Sequence, residues 1–117
     1  MSKQQDSGNY GEQLAVDYLR NLGYEILAVN WRYKYWEVDI IAKNDDSLVF
    51  IEVKSRSNTC FGNPEDFVDL KKQNNLIQAA EAYLELTNYQ GEIRFDIVSV
   101  YLETKIIELI KDAFWSN

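Results

Sequence analysis

The sequence predicts an α/β or α+β fold in which helices flank a mixed β-sheet. Helical periodicity comes first, several β-type runs follow, and then come another helix and two more β-type runs. At 117 residues, with 46% hydrophobic and 14% aromatic content, the chain can bury one core and has no linker-like or repetitive stretch. We therefore expect residues 1–117 to form a single globular domain.

A first amphipathic helix is predicted over about residues 8–21. Its apolar positions, at helical spacing, are Leu14, Ala15, Tyr18, Leu19 and Leu22. Asn9 followed by Glu12 resembles a capping box, and Gly23 suits the position just beyond a helix end. A second helix is predicted over about residues 69–86, after a polar loop at 55–62 and a helix-start pattern at 63–66.

Runs rich in aromatic and β-branched residues predict the strands. They cover residues 24–27, 30–35, 36–42, 47–54, 94–101 and 106–110. The clearest β signal is the hairpin formed by residues 36–42 and 47–54, because the turn-forming Asn44, Asp45 and Asp46 separate the two runs. The runs at 24–27 and 30–35 are short and predict strands or an irregular strand pair.

The composition restricts the chemistry and the compartment. The chain contains no histidine, which excludes histidine general bases and histidine-rich zinc or iron sites, so any metal must be held by oxygen ligands. Its single cysteine, Cys60, excludes an internal disulfide and is expected to be a small apolar filler. The start of the chain lacks the apolar core of a signal peptide, and no apolar run is long enough to span a bilayer, so we expect a cytoplasmic protein.

The charge balance is acidic. With 19 acidic and 12 basic residues, the net charge of −7 disfavours strong non-specific binding to a polyanion. Binding to nucleic acid would therefore depend on a local basic patch.

The predicted hairpin carries the candidate catalytic and metal-binding residues. A turn centred between Asp45 and Asp46 sets Asp39 opposite Glu52, and it sets Glu37 opposite Lys54 on the same face. Two converging carboxylates suit Mg²⁺, which binds through one or two carboxylates and leaves room for substrate phosphate. Lys54 could stabilise an attacking hydroxide or the charge that develops at phosphorus, so this set would suffice for phosphodiester hydrolysis.

Two alternatives stay open for these residues. Glu37, Asp39, Glu52 and Lys54 could instead form the solvent-facing side of a half-buried hairpin, joined by two cross-strand ion pairs. Glu12 lies beside the apolar face of the first helix, where its carboxylate could complete a metal shell. It could equally serve the N-terminus of that helix as a capping and dipole residue.

Basic residues flank the hairpin and alternate with aromatic ones. They are Arg32, Lys34, Arg56, Lys71, Lys72 and Arg94, near Trp31, Tyr33, Tyr35 and Trp36. This mixture suits a phosphate backbone and unstacked bases, although each residue could be ordinary surface and nearby acidic residues dilute the patch. Arg94 and Asp96 are most simply an edge ion pair, and Phe114 with Trp115 a core or dimer contact.

Motifs along nearly the whole chain resemble the YraN-like family of small bacterial proteins. They are Gly11-Glu12, Ala15, Leu19, Gly23-Tyr24, Asn30, Arg32, Glu37 to Ala42, Phe50 to Lys54, Arg56, Phe61-Gly62, Lys72-Gln73, Ala80, Tyr83-Leu84 and Arg94 to Asp96. This family is similar to archaeal Holliday-junction resolvases of the PD-(D/E)XK nuclease superfamily. The resemblance implies a restriction-endonuclease-like core, Mg²⁺ or Mn²⁺ as cofactor and a structured DNA substrate.

The resemblance also implies roles for individual residues. It makes Glu12 the helix carboxylate, Asp39 and Glu52 the metal ligands, and Lys54 the catalytic lysine. Lys72 and Gln73 would contact phosphate, alongside Arg32, Lys34 and Arg56 of the basic patch. Val38 occupies the position of the nominal proline of the superfamily.

Three functions are therefore weighed. The first is a metal-dependent endonuclease acting on branched or distorted DNA, expected to be a homodimer because two symmetric incisions need two active sites. The second is a non-catalytic nucleic-acid or protein interaction module that keeps the nuclease fold. The third is a structural subunit whose carboxylates form ordinary ion pairs.

Overall fold

Two helices and five strands form the part of the chain that the computed structural model describes, which is residues 3–56 and 70–114, with side chains from residue 10 onward. The elements are α1 (Lys3–Asn21), β1 (Glu25–Tyr33), β2 (Trp36–Asn44), β3 (Ser47–Arg56), α2 (Leu70–Thr87), β4 (Glu92–Tyr101) and β5 (Ile106–Ile110). The sheet order is β1-β2-β3-β4-β5, with β3 and β4 parallel and all other neighbours antiparallel. The predicted α/β fold with a mixed sheet is confirmed, and it is compatible with a restriction-endonuclease-like core.

Alternating side chains of the sheet divide the core into two layers. Leu48 and Phe50 of β3 pack in the cluster that contains the buried residues of α2. Val49 and Ile51 of the same strand pack in the cluster that contains the buried residues of α1. The two helices therefore cover opposite faces, and central β3 is apolar on both, as expected of a strand buried on both sides.

Helix α1 starts earlier than the sequence pattern predicts, at Lys3 rather than near residue 8. The capping box expected at Asn9 is wrong, since Asn9 lies inside the helix. Glu12 is also beyond the first turn, where the helix dipole acts, so the capping and dipole role weighed for it does not apply. Neither α1 nor α2, the helices of the described residues, is long and apolar enough to cross a membrane.

The short runs at residues 24–27 and 30–35 join into the one strand β1, which carries a register shift between Ile26 and Ala28. Strand β3 extends to Arg56, two residues into the loop predicted at 55–62. The rest of that loop, Cys60 and the helix start predicted at 63–66 lie outside the described residues. Phe114 stacks on Phe95 with ring centroids 5.0 Å apart and belongs to the core, whereas Trp115 is not described.

Arg94 and Asp96 form a buried network rather than an edge ion pair. Asp96 is fully buried, and its two carboxylate oxygens accept hydrogen bonds from Nε and Nη2 of Arg94, each at 2.9 Å. The Tyr24 hydroxyl and the backbone N–H of Asp112 also donate to Asp96, at 2.9 and 3.0 Å. Arg94 donates further to Tyr24 and to Asn44. The expected edge position is wrong because Asp96 is fully buried and bonded to the segment that follows β5, so the network joins the ends of several strands inside the protein.

Gly11 sets the distance between α1 and β3. A Cβ atom at this position would overlap Oγ of Ser55 and lie 3.1 Å from its Cβ. The absence of a side chain therefore allows α1 to approach the strand closely, and the next residue of the helix is Glu12.

Replacing Gly11 with alanine tests this close approach. Gly→Ala inside a helix ordinarily stabilises by about 1 kcal/mol, but the overlap with Ser55 should reverse the sign and cost about 1–3 kcal/mol. Urea unfolding of Gly11→Ala should show this loss, and the additional change Ser55→Ala should recover part of it. Gln13→Ala, at an exposed position of the same helix, is the control. A Gly11→Ala variant as stable as the wild type would contradict the argument.

Candidate active site

Strands β2 and β3 separate at the residues that the sequence places in the site. They pair from Asn44 with Ser47 as far as Ile40 with Ile51, in the predicted register, and the ladder ends there. Beyond that point β2 pairs with β1 and β3 pairs with β4. The backbone N–H of Val53, left without a strand partner on this side, donates to Oδ2 of Asp39 at 2.8 Å. A gap in the backbone pairing of β2 and β3 therefore begins at Asp39, whose carboxylate bonds to β3 across it.

Strand β2 is irregular at Asp39. Val38 packs in the core under α2 and Ile40 in the core under α1, although residues two apart in a regular strand share one face. Asn30 falls opposite Asp39 in the β1–β2 register and has a left-handed backbone, with φ 56°. The left-handed backbone of Asn30 and the switch of β2 side chains from one face of the sheet to the other both occur where the ladder with β3 ends.

Asp39 and Glu52 meet at the gap and hydrogen-bond to each other. The Glu52 side chain is only 16% exposed. Burial, followed by the charge of Asp39, raises the pKa of Glu52 to about 8. Burial also raises the pKa of Asp39, against the hydrogen bond from Val53. Without a bound cation, the pair is therefore harder to ionise fully than two isolated carboxyl groups.

Two lysines adjoin this acidic pair. Nζ of Lys72, from the first turn of α2, lies 3.7 Å from Oε1 of Glu52. Lys54 lies near Lys72, and burial together with that neighbouring ammonium lowers the pKa of Lys54, against the attraction of Glu52. The parallel β3–α2–β4 crossover thus places a basic pair beside the acidic one.

Glu37 does not face Lys54, so the predicted cross-strand pair is wrong. The β2–β3 ladder stops before these residues, and Glu37 instead pairs across β1, where its Oε2 lies 3.2 Å from Nη2 of Arg32. Glu37 still lines the same pocket as Asp39 and Glu52. The pocket floor is therefore more acidic than two carboxylates alone would make it.

Glu12 approaches the site from the opposite face of the sheet. Its Oε1 accepts a hydrogen bond from Nδ2 of Asn30 at 2.6 Å, and it lines a separate depression with Val16 and Val29. Burial raises the pKa of Glu12, with smaller contributions from the charges of Asp39 and Glu37 and an opposing one from the Asn30 hydrogen bond. Among the described residues no three carboxylates lie close enough together to hold one metal ion. The structure thus brings Asp39 and Glu52 together. Glu12 lies near them but is bonded to Asn30.

The other residues predicted to bind nucleic acid differ in their solvent exposure. Arg32 and Lys34 are exposed near the end of the β1–β2 hairpin, where Nζ of Lys34 is 5.5 Å from the centre of the Tyr33 ring. Arg56 is half-buried at the end of β3, close enough to Lys54 to lower its pKa. Gln73 is half-buried next to the exposed Lys72.

The Asp39–Glu52 pocket has a volume of about 390 Å³. It is lined by Tyr35, Glu37, Asp39, Glu52, Val53, Lys72 and Asn75. Sequence reasoning missed Asn75 and the contact of Lys72 with Glu52, and it named Tyr35 among the aromatic residues near the basic patch without placing it in this pocket. A signal existed for Lys72, which lies one helical turn before the buried Leu76 and so on the inward side of α2. The sequence did not indicate that Tyr35 lines this pocket, because the run that contains it predicted a strand rather than a turn.

Comparison with known proteins shows what the chain is similar to. The model of a family described as uncharacterised protein family UPF0102 matches residues 11–100. A UPF0102 protein of Flavobacterium psychrophilum is 44% identical over 98% of both chains, and one of Christiangramia forsetii is 47% identical over 98% of both. A UPF0102 protein of Clostridioides difficile is 46% identical over 93% of this chain and 96% of its own. These matches confirm the family resemblance drawn from the sequence.

The buried acidic pair predicts a characteristic loss of stability with rising pH in the absence of metal. The unfolded chain releases the Glu52 proton near its ordinary pKa of 4.5, whereas the folded protein keeps it until about pH 8. Between these values the unfolded state binds fewer protons, so stability is full below the lower value and falls as pH rises to the upper one. Glu52→Gln should remove this dependence.

The measurement is the free energy of unfolding at pH 5.5 and pH 8 in the presence of EDTA. We expect Glu52→Gln to gain more than about 1 kcal/mol relative to the wild type between the two pH values, since one pKa unit corresponds to about 1.4 kcal/mol. Glu81→Gln, at an exposed position of α2, should follow the wild type. Parallel curves for the wild type and Glu52→Gln would contradict the assignment.

Proposed function

Because this chain belongs to the uncharacterised protein family UPF0102, whose description states no activity, we propose a function from its site. The function is that of a metal-dependent endonuclease that hydrolyses phosphodiester bonds in branched or otherwise structured DNA. The observation that carries the proposal is the contact of the Asp39–Glu52 pair with the adjoining Lys54–Lys72 pair at one gap in the sheet.

The acidic pair fits a divalent cation. Two neighbouring carboxyl groups in a half-buried place are costly to ionise together, because their charges repel. A bound cation would offset this repulsion. The donors are all oxygens, which Mg²⁺ and Mn²⁺ accept, and the chain has no histidine to favour zinc. Asp39 and Glu52 would hold the metal. When bound, it would polarise a phosphate oxygen and activate a water molecule.

The basic pair fits the phosphate. Two ammonium groups in contact repel each other, and an anion placed between them would reduce that repulsion. Lys72 would contact a non-bridging oxygen from the rim of the pocket. Lys54, next to Glu52 along β3, would stabilise the negative charge that develops at phosphorus. The acidic and basic pairs are thus complementary to a metal ion and a phosphodiester side by side.

The remaining contacts hold these groups in place. The hydrogen bond from Val53 fixes one oxygen of Asp39, and Asn30 fixes Glu12 on the other side of the irregular part of β2. Glu12 would support the site as a third carboxylate, acting on Asp39 through its charge. The proposal includes a homodimer, since paired incisions at a junction require two such sites.

Structured DNA is favoured over uniform duplex by the charge of the chain. With a net charge of −7, the protein does not offer the broad basic surface that clamps a long duplex. Four of its twelve basic residues, Arg32, Lys34, Lys54 and Lys72, lie in or next to the site. A substrate that presents a phosphate at a branch or flap, and needs few distant contacts, matches this distribution.

Metal binding can be measured directly by calorimetric titration of the apoprotein with Mn²⁺. The wild type should show a saturable heat, and both Asp39→Asn and Glu52→Gln should weaken the affinity at least about tenfold, since each removes one charged oxygen ligand. Glu81→Gln should bind as the wild type does. Equal affinity in all four proteins, or no saturable heat in the wild type, would show that Asp39 and Glu52 do not bind the metal.

Cleavage is the decisive assay. Branched, flapped, single-stranded and plain duplex DNA are incubated with the protein in Mn²⁺ and in Mg²⁺. Glu52→Gln and Lys54→Met should each lower the rate about 100-fold or more, the usual effect of losing a group that stabilises the transition state. Lys43→Met, at an exposed position near the other end of β2, is the matched lysine control. Binding without cleavage under every metal condition would overturn the nuclease and favour a non-catalytic module.

A further inference from the structure

We propose that Tyr35 binds an unpaired nucleobase by stacking, so that the substrate of this site is DNA with an unstacked nucleotide next to the phosphate that is cut. The inference rests on the proposed nuclease function for its location and extends it, because it defines the kind of structured DNA that fits. It starts from a residue that the sequence placed in an aromatic and basic patch and to which the proposed mechanism gives no role.

Tyr35 is 94% exposed, in contrast to the half-buried aromatic residues around it, Trp31, Tyr33 and Trp36. Because the ring of Tyr35 is not buried, it adds no hydrophobic stabilisation to the folded protein. This ring also lines the pocket that contains Asp39 and Glu52. It is therefore an apolar surface placed beside the acidic pair.

The protein holds Tyr35 on a stiff support. Tyr33 pairs with Trp36, so Lys34 and Tyr35 alone form the turn between β1 and β2. Lys34 has a left-handed backbone with φ 57°, a conformation that costs a lysine free energy. Below the turn the Tyr33 ring stacks between Trp31 and Trp36, with centroid distances of 6.2 and 6.4 Å. The backbone that carries Tyr35 is thus a short turn on packed aromatic residues.

Charges on the same hairpin suit the backbone of a nucleotide. Lys34 is adjacent to Tyr35 in the turn, and the Arg32 side chain is 74% exposed. Arg32 also pairs with Glu37, which keeps its guanidinium on the pocket side of the hairpin. Lys72 contributes a cation from α2 to the same pocket. A base on Tyr35 would thus have cations within reach of its flanking phosphates.

The occupant must present the face of a flat ring. In duplex DNA both faces of each base are covered by its neighbours, so a single projecting tyrosine can stack only on a base that is unpaired or extruded. Stacking of this kind tolerates any sequence, in keeping with a hairpin that offers a ring and cations. The geometry therefore selects an unpaired nucleotide at a branch, flap or gap rather than a continuous duplex.

The test uses wild type, Tyr35→Ala and Tyr35→Phe, with flap DNA carrying one unpaired nucleotide at the branch. A matched probe has an abasic residue at that nucleotide, which keeps the phosphates and removes the base. Dissociation constants are measured in Ca²⁺. Wild type should bind the probe with the base about fivefold to 150-fold more tightly than the abasic one, the range for one base–aromatic stack.

Tyr35→Ala should lose this preference and Tyr35→Phe should retain it, since the ring and not the hydroxyl makes the contact. Tyr10→Ala is the matched control, because Tyr10 is partly exposed and lies on the other side of α1 from Glu12. Equal binding of the base and abasic probes by wild type would overturn the inference. So would a preference unchanged in Tyr35→Ala, or no binding of either probe.

The same proteins separate this inference from the nuclease proposal. If wild type prefers the unpaired base through Tyr35 but cuts no probe in Mn²⁺ or Mg²⁺, the stacking site stands and the nuclease function fails. If wild type cuts in Mn²⁺ but Tyr35→Ala binds and cuts both probes as wild type does, the nuclease stands and the stacking site fails.

Discussion

The site depends on the separation of β2 and β3 immediately beyond Ile40 and Ile51. A regular hairpin would bond Val53 to the backbone of β2 and leave Asp39 as one more surface side chain. Because the ladder stops, Val53 donates to the Asp39 carboxylate instead, and that carboxylate is fixed against Glu52. Glu37, beyond the end of the ladder, pairs with Arg32 across β1 and lines the pocket. The bond from Val53 to Asp39 follows from this local loss of pairing, whereas Lys72 reaches Glu52 from α2.

Much of this arrangement follows from the sequence, because the contacts concerned are local. The acidic turn at residues 44–46 fixes the register, and the register brings Asp39 near Glu52. The end of the ladder could not be predicted, since it coincides with the left-handed backbone of Asn30 on a third strand. Lys72 comes from a helix beyond a crossover, so its helical position indicates an inward-facing side chain but does not identify Glu52 as its partner. The true start of α1 also required the structure, because residues 3–7 carry no apolar period.

Two polar centres of this fold differ in how their charges are matched. In the Arg94–Asp96 network every carboxylate oxygen receives hydrogen bonds from named donors, and the cation and anion are in direct contact. In the Asp39–Glu52 centre, Lys72 pairs with Glu52 at 3.7 Å, but two acids adjoin each other and so do two lysines. The first arrangement stabilises a buried charge, and the second leaves charges that ligands of opposite sign would balance. Departures from favourable electrostatics of this kind are expected where a protein binds something.

The parallel pairing of β3 with β4 also bears on how the chain folds. The β2–β3 hairpin joins neighbours in sequence, whereas β3–β4 pairing brings Ser47 to Glu92 across the whole of α2. Hairpins close in about 1–10 μs, and contacts between distant segments form later because loop closure has a larger entropic cost. Asp39 and Glu52 would then meet before Lys72 arrives on its helix. During that interval the two acids lack their nearest cation, so divalent ions in the surrounding solution could influence the folding rate as well as the finished site.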